Sequence, residues 1–500
     1  MKTTRRGENM EEISINIIEK LGQLPPAKPT SYIFKVHHEL RAANKELYEP
    51  VLLSIGPYYH DKRKSQLQYM EQHKLRYLND LLKRKEEQGF VTGFYQVREC
   101  LGVLEELEDE ARGYYADPVA LEKNVFLEML LLDGCFIIEL FRKATWKRER
   151  ETDPLLKAGW VRLSLRRDLM LLENQIPFFV LERLHSMIGD LPGPLYLIRR
   201  ALRYLPVYGY LRSDVGLLER KNAVQSINNL LSPKSTFGGR RLNREKLRDI
   251  KHILDLVRKF MLVEEILEMK AESVSHPQQG QSIKKYILDL VRKFRLVKEI
   301  LEILQRQRAS TESTSVRIKK YKYSATELRD LGVRFNGAKK SKFYDITFEN
   351  GLLDIPLIQI DDATEGRFRN LIAYEEHCVG ENKYVGDYMS FMDGLVNTPK
   401  DVELLRHYGI IESFMGDDEV IATMFNNMCK HRILSSSYYA QIVDKLTKHC
   451  SKKRHVWMAM LRRNHLSSPW AILSVLAALI LLILTITQTV YTVLSFYNSN

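Results

Sequence analysis

An uncharged stretch near the C-terminus, Trp470–Tyr491, restricts the fold of this chain more than any other feature. Its sequence is WAILSVLAALILLILTITQTVY, and a helix with no polar face needs apolar surroundings on every side. At 1.5 Å per residue, its roughly 22 residues form a helix about 33 Å long, whereas the hydrocarbon core of a bilayer is about 30 Å thick. Trp470 and Tyr491 mark the two ends, where amphipathic rings favour the membrane interface. We therefore predict a transmembrane helix, with a buried core helix as the alternative.

Basic residues before this stretch predict its orientation. They are Lys445, Lys448, Lys452, Lys453, Arg454, Arg462 and Arg463. The tail SFYNSN has no basic side chain, so the positive-inside rule places the preceding residues in the cytosol. The same cations are expected to bind anionic lipid. With no apolar h-region at the N-terminus, we expect a single-pass, tail-anchored protein whose bulk is cytosolic, in the plasma membrane or an endomembrane.

The composition indicates a globular body before the apolar stretch. Hydrophobic residues make up 45% of the chain and charged residues 28%, which suits a chain with a real core. The formal charge is +13, from 76 basic and 63 acidic residues. Nucleic-acid binding would account for such an excess, but no zinc-ligand spacing or RNP motif accompanies it. We therefore expect no nucleic-acid partner.

Helical spacing of apolar residues dominates the N-terminal half. Leu67–Arg84, Val97–Tyr114 and Val125–Phe141 are predicted helices. The last of them, VFLEMLLLDGCFIIELF, is apolar nearly all round and should be central to the core. Leu165–Leu184 continues the pattern, but Pro177 lacks an N–H and should end or kink a helix there. A short amphipathic helix is also predicted near the N-terminus, around residues 13–21.

The pattern changes beyond Ser324, where SKFYDITFENGLLDIPLIQID has two apolar, β-rich stretches around Asn350-Gly351. Both of these turn residues tolerate positive φ, so the pair predicts a hairpin. We expect strands near Phe343–Phe348 and Leu352–Ile360, with Pro356 making the second an edge or interrupted strand. Further helices are predicted at Arg367–Glu376, Tyr384–Val396, Pro399–Tyr408 and Asp417–Lys430.

A series of motifs in this chain resembles one plant family. In the first half they are IGPYYH at Ile55–His60, MEQHKLRYL at Met70–Leu78, MLLLDGCFIIEL at Met129–Leu140 and DLMLLENQIPFFVLE at Asp168–Glu182, the most specific of them. In the second half they are SATELRDLGVRF at Ser324–Phe335, NGLLDIPLIQID at Asn350–Asp361, NLIAYEEH at Asn370–His377 and DVELLRHYGII at Asp401–Ile411. Their order resembles that of the family called domain of unknown function 247, or UPF 0481.

That resemblance implies a membrane-anchored plant protein without an established activity. Some members of the family are associated with self-incompatibility in grasses, which would imply recognition rather than metabolism. The chain departs from the family pattern at His37, where Pro tends to follow Val, and this loosens the expected local turn. The resemblance covers most of the chain outside residues 1–30 and 190–320.

Residues 190–320 behave as an insertion and contain an internal repeat. HILDLVRKFMLVEEILE at His252–Glu268 returns as YILDLVRKFRLVKEILE at Tyr286–Glu302. Apolar residues in each copy alternate by three and four, which is typical of a coiled-coil seam. With the charged residues in solvent, the two copies are expected to form an antiparallel hairpin that projects from the body or lies upon it. A recent duplication without a selected role is the alternative.

Motifs of known chemistry are missing from the sequence. It has no phosphate loop, no GxSxG elbow, no HExxH and no cluster of zinc spacing. Five cysteines without a CxxC pair indicate reduced thiols in a cytosolic domain. We therefore predict no cofactor, no metal and no catalytic residue.

Some polar residues in apolar surroundings remain candidates for chemistry. Buried carboxylates with a raised pKa can act as acid or base, and four acidic residues lie in apolar segments: Asp133, Glu139, Asp168 and Glu173. A polar network is the favoured interpretation, in which Asp168 and Glu173, with Asn174 and Gln175, hydrogen-bond helix ends and loops. His60, beside Tyr58 and Tyr59, is interpreted as part of a packed turn. Cys135 is interpreted as a core thiol.

The sequence thus predicts a mainly α fold: a helical cytosolic body with a small β-hairpin, a coiled-coil-like helical insertion and one C-terminal transmembrane helix. The leading functional hypothesis is a membrane-anchored interaction or signalling module with unknown protein partners. An enzyme with an unfamiliar acidic site is the alternative, and a nucleic-acid-binding protein comes last. The predicted segments are a loose N-terminus (1–30), two halves of the body (31–190 and 324–445), the insertion (191–323), a basic segment (446–469), the span (470–491) and a tail (492–500).

Overall fold

A computed structural model gives the fold of most of the chain. It describes residues 4–22, 31–64, 67–89, 92–190, 193–205, 236–237, 240–241, 249–262, 323–338, 343–377, 383–430, 438–451 and 469–498. The chain divides into two compact units. The first comprises Met1–Leu205, Ile250–Leu256 and Glu376–Gly380, and the second comprises Pro206–Asp249, Val257–Glu375 and Glu381–Asn500.

Helices are the regular elements of the first unit in the residues described. Its helices are α1 (Thr4–Gly22), α2 (His38–Ala43), α3 (Gln68–Glu87), α4 (Gly93–Glu106), α5 (Glu108–Gly113), α6 (Lys123–Thr145), α7 (Lys147–Thr152), α8 (Pro154–Lys157), α9 (Gly159–Asp168), α10 (Phe178–Ile188) and α11 (Pro194–Tyr204). Two 3₁₀ turns, Lys45–Tyr48 and His60–Lys64, lie between α2 and α3. Helix α1 contains the amphipathic segment predicted around residues 13–21.

Helix α6 is the centre of the first unit, as its sequence predicts. It packs against α3, α4, α10 and α11, and Phe136 is completely buried and contacts the ring of Tyr77. Helix α10 approaches so closely that a Cβ added to Gly134 would lie 2.4 Å from Cδ1 of Leu184. Helix α10, which includes the end of the segment Asp168–Glu182, thus packs directly on α6.

Two of the predicted helices are each divided into two shorter helices. Residues 97–114 form the end of α4 and all of α5, with a break at Leu107 rather than one continuous helix. Residues 165–184 are divided between α9 and α10, and Pro177 is the N-terminal cap of α10. The predicted interruption at Pro177 is thus confirmed, because its fixed φ and missing N–H fit a helix start and not a helix interior.

The second unit combines helices with small sheets. Helix α12 (Ile253–Met261) belongs to the first unit up to Leu256 and to the second unit from Val257. The other helices are α13 (Ala325–Asp330), α14 (Thr364–His377), α15 (Tyr384–Leu395), α16 (Pro399–His407), α17 (Asp418–Met428), α18 (Ala440–Cys450) and α19 (Pro469–Asn498). The strands are β1 (Thr236–Phe237), β2 (Arg240–Arg241), β3 (Arg334–Ala338), β4 (Thr347–Glu349), β5 (Leu352–Pro356), β6 (Ile358–Ile360) and β7 (Ile411–Ser413).

The Asn-Gly hairpin forms where the sequence predicts it. Asn350 and Gly351 have φ values of 51° and 75°, and they join the antiparallel strands β4 and β5. Positive φ at both central residues is the requirement that Asn and Gly meet. Pro356 ends β5 and separates it from β6, so the expected interruption is confirmed.

Strands β3 and β7, like the short strands β1 and β2, escaped the sequence analysis. Strand β3 pairs in parallel with β5, giving the sheet order β3-β5-β4, and β7 pairs in parallel with β6. Strand β5 is therefore central and not an edge, and Pro356 is tolerated because it stands at the end of the ladder. Parallel pairing joins segments that are distant along the chain, so no local turn signal announces it.

The first copy of the repeat does not have the expected solvated face. In α12 the charged side chains Asp255, Arg258 and Lys259 are buried together with the apolar ones. The Nε of Arg258 donates to Glu375 at 3.0 Å, and the ammonium of Lys259 donates to the carbonyl oxygen of Asp249. The interpretation of this helix as part of a projecting coiled coil is therefore wrong. The second copy, Tyr286–Glu302, lies outside the described residues.

The transmembrane element of the predicted fold class also requires correction. The segment Trp470–Tyr491 lies in helix α19. Residues 476–492 are the longest part of this helix for which the structure describes every side chain. A transmembrane helix needs about 20 consecutive apolar residues. Over the residues described, no helix combines the length and the apolar character that crossing a membrane requires.

Candidate functional site

The irregular segment Val51–Gly56 is held by side chains from three other parts of the first unit. The carboxylate of Asp168, at the end of α9, accepts hydrogen bonds from the backbone N–H groups of Val51, Leu52 and Leu53 at 2.7–3.1 Å. The side-chain oxygen of Asn174 accepts from the N–H of Ile55 at 2.7 Å. A segment without regular structure must bond its buried backbone groups to side chains, and these residues meet that need.

Asp133 of helix α6 is the second anchor of this segment. One carboxylate oxygen accepts from the N–H of Gly56 at 2.8 Å, and the two oxygens also bind the side chains of Arg63 and Lys74. All three of these charged side chains are buried. Burial alone would raise the pKa of Asp133, but the charges of Arg63 and Lys74 hold it below the ordinary value. The carboxylate is therefore ionised and fully engaged.

Glu173 binds residues that precede and follow the same segment in the sequence. Its carboxylate accepts from the backbone N–H of Val36 and from the hydroxyl of Tyr59, each at 2.6 Å, and it forms an ion pair with Arg41. The side-chain amide of Gln175 donates to the carbonyl oxygens of Leu169 and Leu171. The predicted polar network is thus observed, because each of these side chains bonds a loop or a helix end.

The other candidates of the sequence analysis lie in different surroundings. His60 begins a 3₁₀ turn, and burial lowers its pKa. Cys135 is completely buried in α6, and burial raises the pKa of its thiol, as expected of a core thiol. Glu139 lines the cleft described next, and Asp168, Glu173 and His60 are not among the residues that line it.

The cleft lies between helices α3, α6 and α7, and we call it the α3–α6 cleft. Its volume is about 470 Å³, and it is lined largely by charged side chains. Helix α3 provides Asp80 and Arg84, helix α6 provides Glu139, Arg142 and Lys143, and helix α7 provides Glu149. Pockets that bind ligands typically have volumes of about 300–1,000 Å³. The cleft is thus large enough for one or two amino-acid side chains.

A carboxylate between two guanidinium groups forms the floor of the cleft. Glu139 is completely buried and binds both Arg84 and Arg142 in bidentate fashion, at 2.8–2.9 Å. Arg142 also binds the carboxylate of Glu149 at the rim. Burial would raise the pKa of Glu139, but the hydrogen bonds from the two arginines hold it below the ordinary value. Bidentate pairs of this kind fix geometry as well as charge.

A second ion-pair group forms the adjoining wall. The ammonium of Lys143 donates to Asp80 at 2.7 Å and to Asp153 at 3.0 Å, and it lies 4.2 Å from the centroid of the Tyr77 ring. The hydroxyl of Tyr77 donates to Asp153 at 2.8 Å. Burial alone would lower the pKa of Lys143, but these acidic partners raise it above the ordinary value. The wall is therefore charged and held in one arrangement.

Most of these cleft residues escaped the sequence analysis. Glu139 was noted only because it interrupts an apolar run, and its partners were not considered. One local signal was present, since Glu139 and Arg142 are three residues apart on a helix and so share a face. The position of Arg84 opposite them follows from the packing of α3 on α6, which the sequence does not show. Among the described residues, no three His, Cys, Asp or Glu side chains form a group suited to a metal ion.

The sequence matches a family of plant proteins. A model of the family called domain of unknown function 247, described as plant protein of unknown function, matches residues 33–484. The match covers most of the chain, so the protein belongs to this family, and the resemblance inferred from the motifs is confirmed.

Two curated relatives come from Arabidopsis thaliana. UPF0481 protein At3g47200 is 26% identical over 481 residues, covering 94% of this chain and 88% of the relative. Putative UPF0481 protein At3g02645 is 23% identical over 500 residues, covering 92% of this chain and 89% of the relative. No solved structure matches the chain significantly.

Proposed function

We propose that this protein is a protein-interaction module, and that the α3–α6 cleft is the site where it recognises a partner. The observation that carries the proposal is the arrangement of charges in the cleft. Ion pairs hold Arg84, Arg142 and Lys143 in fixed positions before any partner arrives. Preorganised charged groups favour binding, because less side-chain entropy is lost on association and wrong partners are rejected electrostatically.

The positions of the other acidic candidates support this proposal over the enzyme alternative. Asp133, Asp168 and Glu173 each accept a hydrogen bond from backbone N–H groups, so their oxygens serve the fold. A general acid or base must lie within hydrogen-bond reach of a substrate proton. The cleft, in contrast, offers half-exposed charges at its rim, which is a property of recognition surfaces. The expectation that the protein is not an enzyme stays a prediction.

The expectations about lipid and location stay predictions. Only Lys445 and Lys448, of the basic residues assigned to anionic lipid, lie among the described residues, and both belong to α18. Lys448 forms an ion pair with Asp444 at 2.7 Å on a solvent-exposed face. The cytosolic location of the bulk is likewise an expectation from the sequence.

The proposal is tested by proximity labelling in plant tissue with the full chain. A double variant, Asp80→Asn with Glu149→Gln, removes two rim charges but keeps the fold, because Lys143 retains Asp153 and Arg142 retains Glu139 as buried partners. Glu151→Gln is the matched control, since Glu151 is on α7, forms an exposed ion pair with Lys147 and does not line the cleft.

We expect wild type and the control to label the same set of proteins and the double variant to lose members of that set. Thermal melts of all three proteins establish that they are equally folded. Identical labelled sets for all three would contradict the proposal.

A further inference from the structure

The balance of charge in the α3–α6 cleft indicates the chemistry of its occupant. We propose that the cleft receives a cationic side chain, arginine or lysine, from a partner protein; this inference rests on the proposed function. The carboxylates that line the cleft are Asp80, Glu87, Glu139, Glu149 and Asp153. The permanently charged cations are Arg76, Arg84, Arg142 and Lys143. Five negative and four positive charges leave a balance of −1.

The excess negative charge belongs to a particular part of the cleft. Glu139, Glu149, Arg84 and Arg142 are joined by bidentate pairs and sum to zero. On the adjoining wall, two carboxylates, Asp80 and Asp153, share the single cation Lys143. The two charges that remain at the cleft, Glu87 and Arg76, cancel in the sum, so we assign the excess negative charge to this wall. His73 also lines the cleft, but burial lowers its pKa, so it adds no positive charge at neutral pH.

Exposure places the negative groups where a partner arrives first. The side chains of Asp80 and Glu149 are 46% and 36% exposed, whereas those of Lys143 and Arg142 are only 11% and 9% exposed. An incoming anion would thus meet Asp80 and Glu149 before it reached Lys143 and Arg142 behind them, and Arg76 is the exposed cation at the cleft. The anion would also have to displace an existing acidic partner without adding a net ion pair. An incoming cation gains the attraction of both rim carboxylates and displaces nothing.

The volume of the cleft agrees with an occupant of this size. About 470 Å³ accommodates a guanidinium or ammonium group together with its aliphatic stem. Pro154 and Thr152 provide less polar surface at the same cleft, and long basic side chains commonly bury their stems against such surface. A planar guanidinium can in addition bind carboxylates in bidentate fashion, which favours arginine over lysine.

The inference is tested with small probes and the full-length protein. Saturation-transfer NMR would be recorded with N-acetyl-arginine amide, with its neutral isostere N-acetyl-citrulline amide, and with N-acetyl-glutamate amide. We expect a transfer signal for the arginine probe that weakens with added salt, and none for the other two. In the Asp80→Asn, Glu149→Gln double variant the arginine probe should bind about threefold to tenfold more weakly, as for the loss of two partly exposed ion pairs. Glu151→Gln should bind it as wild type does.

The outcomes separate this inference from the proposed function. Binding of the glutamate probe, or equal binding of the arginine probe by wild type and the double variant, would overturn the cationic occupant. Partner labelling that depends on the cleft, together with failure of the arginine probe, would contradict only the inference. Cleft-dependent binding of the arginine probe, with no change in partner labelling, would contradict the proposed function instead.

Discussion

A single buried carboxylate can hold several residues of irregular chain in place, and Asp168 does so here. It is completely buried, and its oxygens accept from three successive backbone N–H groups. Burial raises the pKa of Asp168, and these hydrogen bonds offset only part of that effect. Asp168 also forms an ion pair with Arg167 at 3.0 Å, and its backbone hydrogen bonds are what hold Val51–Leu53 in place.

Replacing Asp168 by Asn should destabilise the protein. The N–H groups of Leu52 and Leu53 share one carboxylate oxygen, and that of Val51 donates to the other. If the amide oxygen takes the first position, the amide NH2 faces the N–H of Val51, and that donor is left without a partner. The expected loss is about 1–3 kcal/mol in the free energy of unfolding, measured by chemical denaturation. Asp80→Asn, at a half-exposed position, is the control and should change stability by about 0.5 kcal/mol or less. Equal effects of the two substitutions would contradict the anchoring role.

Asp190 should give stability a defined dependence on pH. Its carboxylate binds Arg200 through two hydrogen bonds at 2.5 and 2.8 Å. Burial would raise its pKa, but the hydrogen bonds and charge of Arg200 lower it to about 2, from an ordinary 3.8. Because the folded-state pKa is depressed, this contribution to stability is present above the ordinary value and is lost as pH falls towards 2.

The measurement compares wild type with Asp190→Asn by denaturant unfolding. The variant should be less stable from neutral pH down to about pH 5, and the difference should shrink as the pH falls below about 4. Asp117→Asn is the control, since Asp117 makes only an exposed 3.4 Å pair with Lys35. A difference that stays constant down to the lowest accessible pH would contradict the assignment to Asp190.

At the scale of elements, the close approach of α10 to α6 depends on Gly134. Glycine within a helix normally costs about 0.5–1 kcal/mol relative to alanine. Here an added Cβ would lie 2.4 Å from Leu184, whose side chain is completely buried and has little freedom to move. The packing cost outweighs the gain in helix propensity, because overpacking typically costs about 1–3 kcal/mol.

Gly134→Ala should therefore reduce stability, and a second helical glycine provides the control. Gly102 of α4 has no atom within 4 Å of an added Cβ, so Gly102→Ala should raise stability by about 0.5–1 kcal/mol. We therefore expect denaturant unfolding to show a lower free energy of unfolding for Gly134→Ala and a higher one for Gly102→Ala. Stabilisation by both substitutions would show that α10 can withdraw from α6 without cost.

At the scale of the whole molecule, the sequence predicts what depends on local pattern. Apolar spacing located α3 and α6, Asn350-Gly351 located the hairpin, and Pro177 located an interruption between two helices. Each of these signals is contained within a few residues, since helix periodicity and turn chemistry are local. The hydrogen-bonding roles of Asp168 and Glu173 followed from the same reasoning, because polar groups in apolar segments must find partners.

What the sequence did not predict depends on contacts between distant residues. Parallel pairing of β3 with β5 has no turn signal, and Arg84 meets Glu139 only because α3 packs on α6. Helix α12 was misread because charged residues were assumed to face solvent, whereas Arg258 is buried against Glu375. A buried ion pair looks like an exposed charge in the sequence, since only the partner distinguishes the two.

The central claim is that a partner protein contacts the α3–α6 cleft, and site-specific photo-crosslinking tests it most directly. A photoreactive phenylalanine analogue would replace Arg76, an exposed residue that lines the cleft, or, as the control, Glu151 outside it. In plant cells expressing the full chain, we predict that the analogue at position 76 gives one discrete crosslinked product. The analogue at position 151 should give a lower yield of that product. That product should disappear in the background of Asp80→Asn with Glu149→Gln. A product of equal yield from both positions, unaffected by the rim substitutions, would contradict the account.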